Sequence, residues 1–469
     1  MNILVMESST TSAKAMLYRS GSHSIHVLEK PYYNIKTDDG TQDPDDIFHK
    51  TVHLARQLCA DQEIGMIVLS GTYHSVMLLD RGMRPQTPSY LWSYTGAKEL
   101  CANLRTNPDY VRDYYRKTGC MVHALYPFFK LKFLKSLGHD IKSGFIMGQG
   151  AYNFYRMTGI RAEMDSMASG TGLFNINDLD YDRSLLAELG IDEDHLPVLA
   201  RWNETRPLTK EAAAKLGIKP GIPVMTAGPD GALNQVGSDA LAQGIMTLSV
   251  GTSAALRMSV ASPNLSKDMS TWCYLSPKQW LSGAAVSGGC NCVDWVRHLM
   301  FPAGISYADC EKGMGDPDAA PVFLPFLYGE RCPGWNDERE ASFAGVRPDH
   351  TPADFYYSVQ EGVLFNIYQC FERLCALNGI PREIKISGGI LNSPRWLQMC
   401  ADLLGSELTT ESIQHSSMAG GLKLALELAG IAPYNLATHD GEKKRIVPQK
   451  ETHDKLMERF KIYEDNYNQ

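Results

Sequence analysis

Residues 3–18 read ILVMESSTTSAKAMLY: Ile3 to Met6 are apolar, Ser8 to Ser12 all carry hydroxyls, and Ala13 to Tyr18 are largely apolar again around Lys14. That order predicts a strand, a hydroxyl-rich turn and a second strand. A stretch of the same design spans Met246 to Met258, with Thr247-Leu248-Ser249-Val250, the turn Gly251-Thr252-Ser253, and Ala254-Ala255-Leu256-Arg257-Met258. Two hairpins of one type, about half a chain apart, predict an internal duplication. A boundary just before the second unit divides the chain into domains of residues 1–243 and 244–469. No low-complexity linker separates them, so the halves are expected to meet around a shared cleft.

Outward from the hairpins, apolar strand runs alternate with helical stretches. Gly65 to Leu69, Val76 to Leu79, Ile222 to Ala227 and Glu383 to Ser387 read as strands. Pro352 to Asn378 has helical spacing, with Phe355, Val359, Val363, Ile367 and Leu374 largely on one face. Ser393 to Leu404 and residues 455–466 read as further helices. Strands alternating with helices give an α/β class with mixed sheets.

The chain has 469 residues and a formal charge of −8. By surface scaling, roughly three-quarters of its surface can be buried, so no metal or disulfide staple is needed. Hydrophobic residues at 44% and charged residues at 21% exclude a disordered or fibrous chain. The mild acidity argues against a nucleic-acid partner, which needs a basic face. The opening Met1 to Glu7 is too short an apolar run for a signal peptide or a membrane span. With eleven cysteines scattered without metal-ligand spacing, the chain is expected to be cytoplasmic, zinc-free and without a membrane partner.

Three features point to chemistry. Ser/Thr turns with free backbone N–H groups cradle phosphate oxygens, which makes Thr10, Thr11, Ser12 and Lys14 on one hairpin, and Gly251 and Thr252 on the other, candidate phosphate ligands. An ordinary surface turn has the same composition, and it is the occurrence of two that favours phosphate. No GxxxxGK[ST] is present, which excludes a Walker-type loop. Gly228-Pro229-Asp230-Gly231 places Asp230 at a helix N-terminus, where the dipole favours an ionised carboxylate able to take a hydroxyl proton. Alone, the same four residues read as a turn. Gly388-Gly389 after a strand permits close approach of a flat group, or simply a tight turn. His74, taken alone, reads more readily as a structural histidine than as a ligand.

Taken in order along about residues 1 to 435, these segments resemble the FGGY family of carbohydrate kinases. Glu7 to Lys14 resembles its first phosphate hairpin, and Gly71-Thr72-Tyr73-His74-Ser75 its sugar-contacting segment. Asp165 to Phe174 matches another block, Gly228 to Gly237 the segment of the catalytic Asp, and Gly251-Thr252-Ser253 the second phosphate turn. Gly329-Glu330-Arg331-Cys332-Pro333-Gly334-Trp335 resembles the GERxPxW loop, and Gly388-Gly389, Asn392, Trp396 and Asp402 the C-terminal signature. Tyr73-His74-Ser75 is similar to the gluconate and xylulose branches, and Trp272-Cys273-Tyr274 and Asp294 to Arg297 resemble gluconate kinases in particular.

The resemblance implies two actin-like ATPase (ribonuclease H-like) domains around a central cleft. It implies ATP and Mg2+ as cofactors and a gluconate- or xylulose-like sugar, polyol or sugar acid as acceptor. Asp230 would be the general base, and Glu7, through water, would hold the metal together with Asp230. Tyr73, His74, Trp92 and Tyr94 would meet the sugar, while Gly388, Gly389 and Asn392 would meet adenosine. Homodimers are common in the family.

Three departures stand out. Glu7 replaces the usual Asp, Ser9 replaces a Gly, and Tyr94 and Gly96 replace an Asp and an Arg of the sugar pocket. A non-catalytic sugar or nucleotide sensor on the same fold is the alternative reading that these departures motivate.

Overall fold

The computed structural model describes residues 1–32, 40–312, 317–410, 415–432 and 443–469. Asn2–Ser8 and Ser12–Arg19 pair antiparallel, with Ile3 opposite Tyr18 and Ser8 opposite Ala13, and Ser24–Pro31 continues the meander. Asp43 accepts hydrogen bonds from the Asp45 and Asp46 amides and Pro44 opens the first turn, which starts the helix Pro44–Cys59. That helix crosses over to Ile64–Gly71, which lies parallel to Asn2–Ser8. Pro223–Met225 adds a parallel strand and Thr205–Pro207 an antiparallel edge. Ile3, Leu4 and Val5 are all fully buried because both faces of this sheet are covered, which is why the run is apolar without alternation.

The second sheet repeats the plan. Ile245–Val250 pairs antiparallel with Ala254–Val260, and Trp280–Val286 takes the third position. The helix Pro352–Asn378 leads to Glu383–Ser387, parallel to Ile245–Val250, followed by parallel Leu408–Thr410 and the antiparallel edge Arg445–Ile446. Among the described residues the outermost strand of this sheet, Trp272–Leu275, and the short Gly228–Pro229 strand of the first sheet lack counterparts. The duplication expected from the two hairpins therefore extends to the order and direction of six strands.

Three local expectations are adjusted. Met77–Leu79 pairs with Phe145–Met147 outside the main sheet. The run from Ile222 is ordered as strand only over Pro223–Met225; Gly228 and Pro229 then pair with Ser70 and Gly71, which delivers Asp230 to the end of the central strand. The helix Pro352–Asn378 is buried on all sides from Tyr356 to Ile367 rather than along one stripe. It is sandwiched between the sheet and the helices Pro394–Leu404 and Lys450–Tyr467.

A helix from the C-terminal half, Ser416–Leu428, packs on Asp230–Gly237 and on Val5 and Val68 of the first sheet. Glycines permit this. A Cβ at Gly420 would lie 1.9 Å from the Leu233 carbonyl oxygen, and one at Gly237 would lie 1.9 Å from that of Ser416. All eleven cysteines are free thiols, nine of them buried, and no three His, Cys, Asp or Glu side chains among the described residues form a metal cluster. No described helix is long and apolar enough to cross a membrane.

Candidate active site

The two sheets enclose a cavity of about 250 Å³ between them. The N-terminal half contributes Thr72, Tyr73, His74, Trp92, Leu125 and Asp230 to its wall. The C-terminal half contributes Ser253, Ala255, Arg257, Trp272, Tyr274, Ala285, Arg331 and Trp335. At about 30 Å³ per water the space holds roughly eight waters, the bulk of a small polyhydroxylated molecule. A larger open groove of 1440 Å³, lined mainly by residues 41–46 and 82–88, contains none of the site residues expected from the sequence.

Asp230 is the first residue of the helix Asp230–Gly237, and the Gly231 amide donates to its Oδ1 at 2.7 Å. The expected influence of the helix N-terminus is outweighed. Enclosure by protein, followed by the nearby Glu7 charge, pushes the Asp230 carboxyl up to about 6, against the lowering effects of the Gly231 amide, Arg257 and the Tyr73 amide. Asp230 is therefore mostly ionised at neutral pH yet far more basic than a surface carboxylate. That combination suits proton acceptance.

Glu7 is buried, and both of its oxygens are engaged. Lys14 Nζ donates to Oε1 at 3.0 Å, while Ser70 Oγ (3.0 Å) and Ser417 Oγ donate to Oε2. Burial disfavours the Lys14 ammonium, but Glu7, Glu29 and Asp230 outweigh it and hold its pKa above the ordinary lysine value. Ser9 N–H donates to the Ser12 carbonyl at 3.1 Å to close the first turn, and Ser12 Oγ donates to Glu29 at 2.7 Å. Thr10 Oγ1 accepts from Trp92 Nε1 at 3.2 Å, which ties the first turn to the cavity wall. Thr11 lies at the exposed tip between the two strands.

The second turn is bound to its surroundings through backbone. Gly251 N–H donates to the Ser253 carbonyl at 3.0 Å, and the carbonyls of Gly251 and Thr252 accept from the amides of Cys290 and Asn291. Gly388, with φ +99°, presses on it: a Cβ there would stand 2.3 Å from the Val250 carbonyl oxygen. Gly389 lies against Cys290 Sγ, and Asn392 ends the same short turn, exposed. Here the positive φ and the close contact both require glycine.

On the cavity wall, burial pushes the His74 imidazole down to about 3, so the ring is neutral. Its Nδ1 hydrogen bonds with the Gly170 carbonyl, which only accepts; Nδ1 therefore carries the proton and Nε2 is left as an acceptor. Tyr73 stacks on His74 at 5.0 Å, and its buried hydroxyl has no hydrogen-bond partner among the described residues. Tyr94 does not line the cavity. Its ring packs on Tyr90 at 4.7 Å and Phe133 at 6.3 Å, because that aromatic cluster offers more apolar contact than the polar cavity does.

Arg257, Trp272, Tyr274, Arg331 and Trp335 also line the cavity; in the sequence the last four stood out only as parts of family segments, and none of the five was assigned a role in the site. The available signal was alternation: Ser253, Ala255 and Arg257 follow one another on the same face of the strand leaving the second turn. Across the lobes, Arg105 (3.1 Å) and His123 (2.7 Å) meet Asp337, and the hydroxyls of Tyr126 and Tyr274 lie 2.7 Å apart.

Two α/β domains of the actin-like ATPase class, with Asp230 and Ser253 at the cavity wall between them and the first turn tied to that wall through Trp92, define the kind of protein this is. The pattern of the FGGY family of carbohydrate kinases, N-terminal domain, matches residues 2–237, and that of its C-terminal domain matches residues 246–427. The chain belongs to the FGGY family of carbohydrate kinases. It is 28% identical over 454 residues to a gluconokinase of Bacillus subtilis (strain 168), covering 91% of this chain and 88% of that protein. It superimposes on a gluconate kinase from Lactobacillus acidophilus with a TM-score of 0.89 at 28% identity, covering 100% of this chain and 97% of that one. A ligand-bound xylulose kinase from the same organism gives a TM-score of 0.90, also at 28% identity, over 100% and 98% of the two chains. The protein is a phosphotransferase acting on sugar hydroxyls, and kinases of this family draw the phosphoryl group from ATP.

Proposed function

We propose that the protein phosphorylates a hydroxyl of a small sugar, polyol or sugar acid, gluconate- or xylulose-like, with Asp230 as general base. The lobes divide at residues 243 and 244, and the acceptor lies in the cavity against Tyr73, His74 and Trp92. His74 Nε2 accepts from one acceptor hydroxyl, and Asp230 takes the proton of the attacking one. Lys14, Thr10, Thr11 and Ser12 on one side and Gly251 and Thr252 on the other hold the phosphates, with adenosine against Gly388, Gly389 and Asn392. Tyr94 acts behind the wall, setting its shape. The observation that carries this reading is the Asp230 carboxylate at the wall of a cavity that Ser253 of the second turn also lines.

The donor set suits Mg2+, which keeps several waters and takes one or two carboxylates alongside substrate phosphates. Asp230 and, through water, Glu7 would hold it, since both Glu7 oxygens already accept from protein donors. When bound, the ion neutralises charge on the phosphates. The chain's own residues position the acceptor, move the proton to Asp230 and exclude water as the lobes close.

The test is ADP release across C4 to C7 aldonates, ketoses and polyols, with a pH profile on the best acceptor. Turnover is expected with at least one of them. Because the base works only ionised and its pKa is raised to about 6, kcat/KM should be flat above about pH 7 and fall as pH drops through 6. ATP binding without turnover on any acceptor would favour the sensor instead.

A further inference from the structure

We propose that the cavity selects an acceptor carrying a carboxylate, which Arg257 holds with Arg331 beside it. The proposal rests on the cavity being the acceptor site and narrows the substrate to a sugar acid.

The ionisable groups of the wall are Asp230, Arg257, Arg331, His74, Tyr73 and Tyr274, and burial raises both tyrosines so that they stay uncharged. With His74 neutral, two guanidinium charges face one carboxylate. Among the described residues Arg257 donates no hydrogen bond and forms no ion pair, although Asp230 and Tyr73 lie close enough to act on it electrostatically. Its Nη2 borders Gly231, 3.3 Å from where a Cβ would stand, so it lies beside the reacting end of the cavity. Arg331 spends one Nη2 contact on the Val286 carbonyl at 2.6 Å and lies over the Trp92 ring at 5.2 Å, while its buried Nε has no hydrogen-bond partner among the described residues. Water serves these donors only while the cavity is wet.

A neutral sugar that fills the space removes that water and leaves a desolvated cation without a counter-charge, which is costly. A carboxylate restores the balance and matches the planar fork of a guanidinium with two parallel hydrogen bonds. Tyr73, Trp92, Trp272 and Trp335 supply apolar wall around the carbon chain.

Binding of D-gluconate and of D-glucitol, six-carbon acid and six-carbon polyol, is measured without nucleotide by calorimetry and by quenching of the cavity tryptophans. Gluconate is expected to bind on the order of 10- to 100-fold more tightly. Arg257→Gln should cut gluconate affinity at least tenfold more than glucitol affinity, and Arg257→Lys should recover part of the difference. Should the Gln variant not fold, the wild-type comparison still decides. Equal binding of the two compounds would overturn the proposal, as would an equal loss for both in Arg257→Gln, which would move Arg257 to the transferred phosphate. ADP release separates the two readings: turnover with glucitol preferred sinks the carboxylate clamp alone, whereas selective gluconate binding without any turnover sinks the kinase mechanism alone.

Discussion

Asp230→Asn is expected to lower kcat for the best acceptor by at least about 100-fold, with the acceptor KM changed only a few-fold. Asn keeps the size of the side chain and an oxygen to accept from the Gly231 amide, now 2.7 Å from Oδ1. It removes the basicity that enclosure and Glu7 confer. The lost factor is therefore proton transfer rather than folding, and an unchanged melting curve checks this. A competing role is that Asp230 only satisfies the helix start, and there Asn serves as well as Asp. ADP-release kinetics within a few-fold of wild type would support that role and remove Asp230 from the chemistry.

Arg459→Met is expected to destabilise the C-terminal domain by about 3–5 kcal/mol, the usual cost of stranding one partner of a buried ion pair. Arg459 on Lys450–Tyr467 meets Glu361 in the middle of Pro352–Asn378 with two parallel hydrogen bonds of 2.6 Å. Both side chains are almost fully buried, at 6% and 1% exposure. Tyr357 also donates to Glu361 at 3.1 Å, and Arg459 Nη2 donates to the Ala320 carbonyl at 3.2 Å. The thermal midpoint of the domain should fall on the order of 10 °C by calorimetry. The double change Glu361→Leu with Arg459→Met should recover most of the loss, because no charge is then left unpaired. A single variant within about 1 kcal/mol of wild type would mean that apolar packing alone docks the helix.

Much of the fold was legible because it is written locally. The apolar runs around Ser8 to Ser12 and Gly251 to Ser253 made both hairpins readable, and Pro352 with Gly379 bounds the long helix at the expected residues. The position of Asp230 followed from Gly-Pro-Asp-Gly ahead of a helical run. What sequence spacing did not reveal depends on contacts between distant segments. Ser417 reaches Glu7 from 410 positions away, so nothing near Glu7 announces that its carboxylate is fully engaged. Tyr94 has the right chemistry for a sugar wall, but packing against Tyr90 and Phe133 decides where its ring goes. The raised pKa of Asp230 likewise needs the neighbouring Glu7 and the enclosing second lobe, whereas the helix start alone argues for a lowered one. Arg257 reads as one polar position in a buried strand until the cleft is assembled around it.

A crystal structure with a non-hydrolysable ATP analogue and the acceptor that turns over puts the central geometry to the test. An acceptor hydroxyl is expected about 2.6–3.2 Å from the Asp230 carboxylate, with the terminal phosphate in line on the far side of that oxygen, between the turns at residues 9–12 and 251–253. An acceptor seated in the open groove beside residues 41–46, or a hydroxyl out of reach of Asp230 with the phosphate elsewhere, would contradict it.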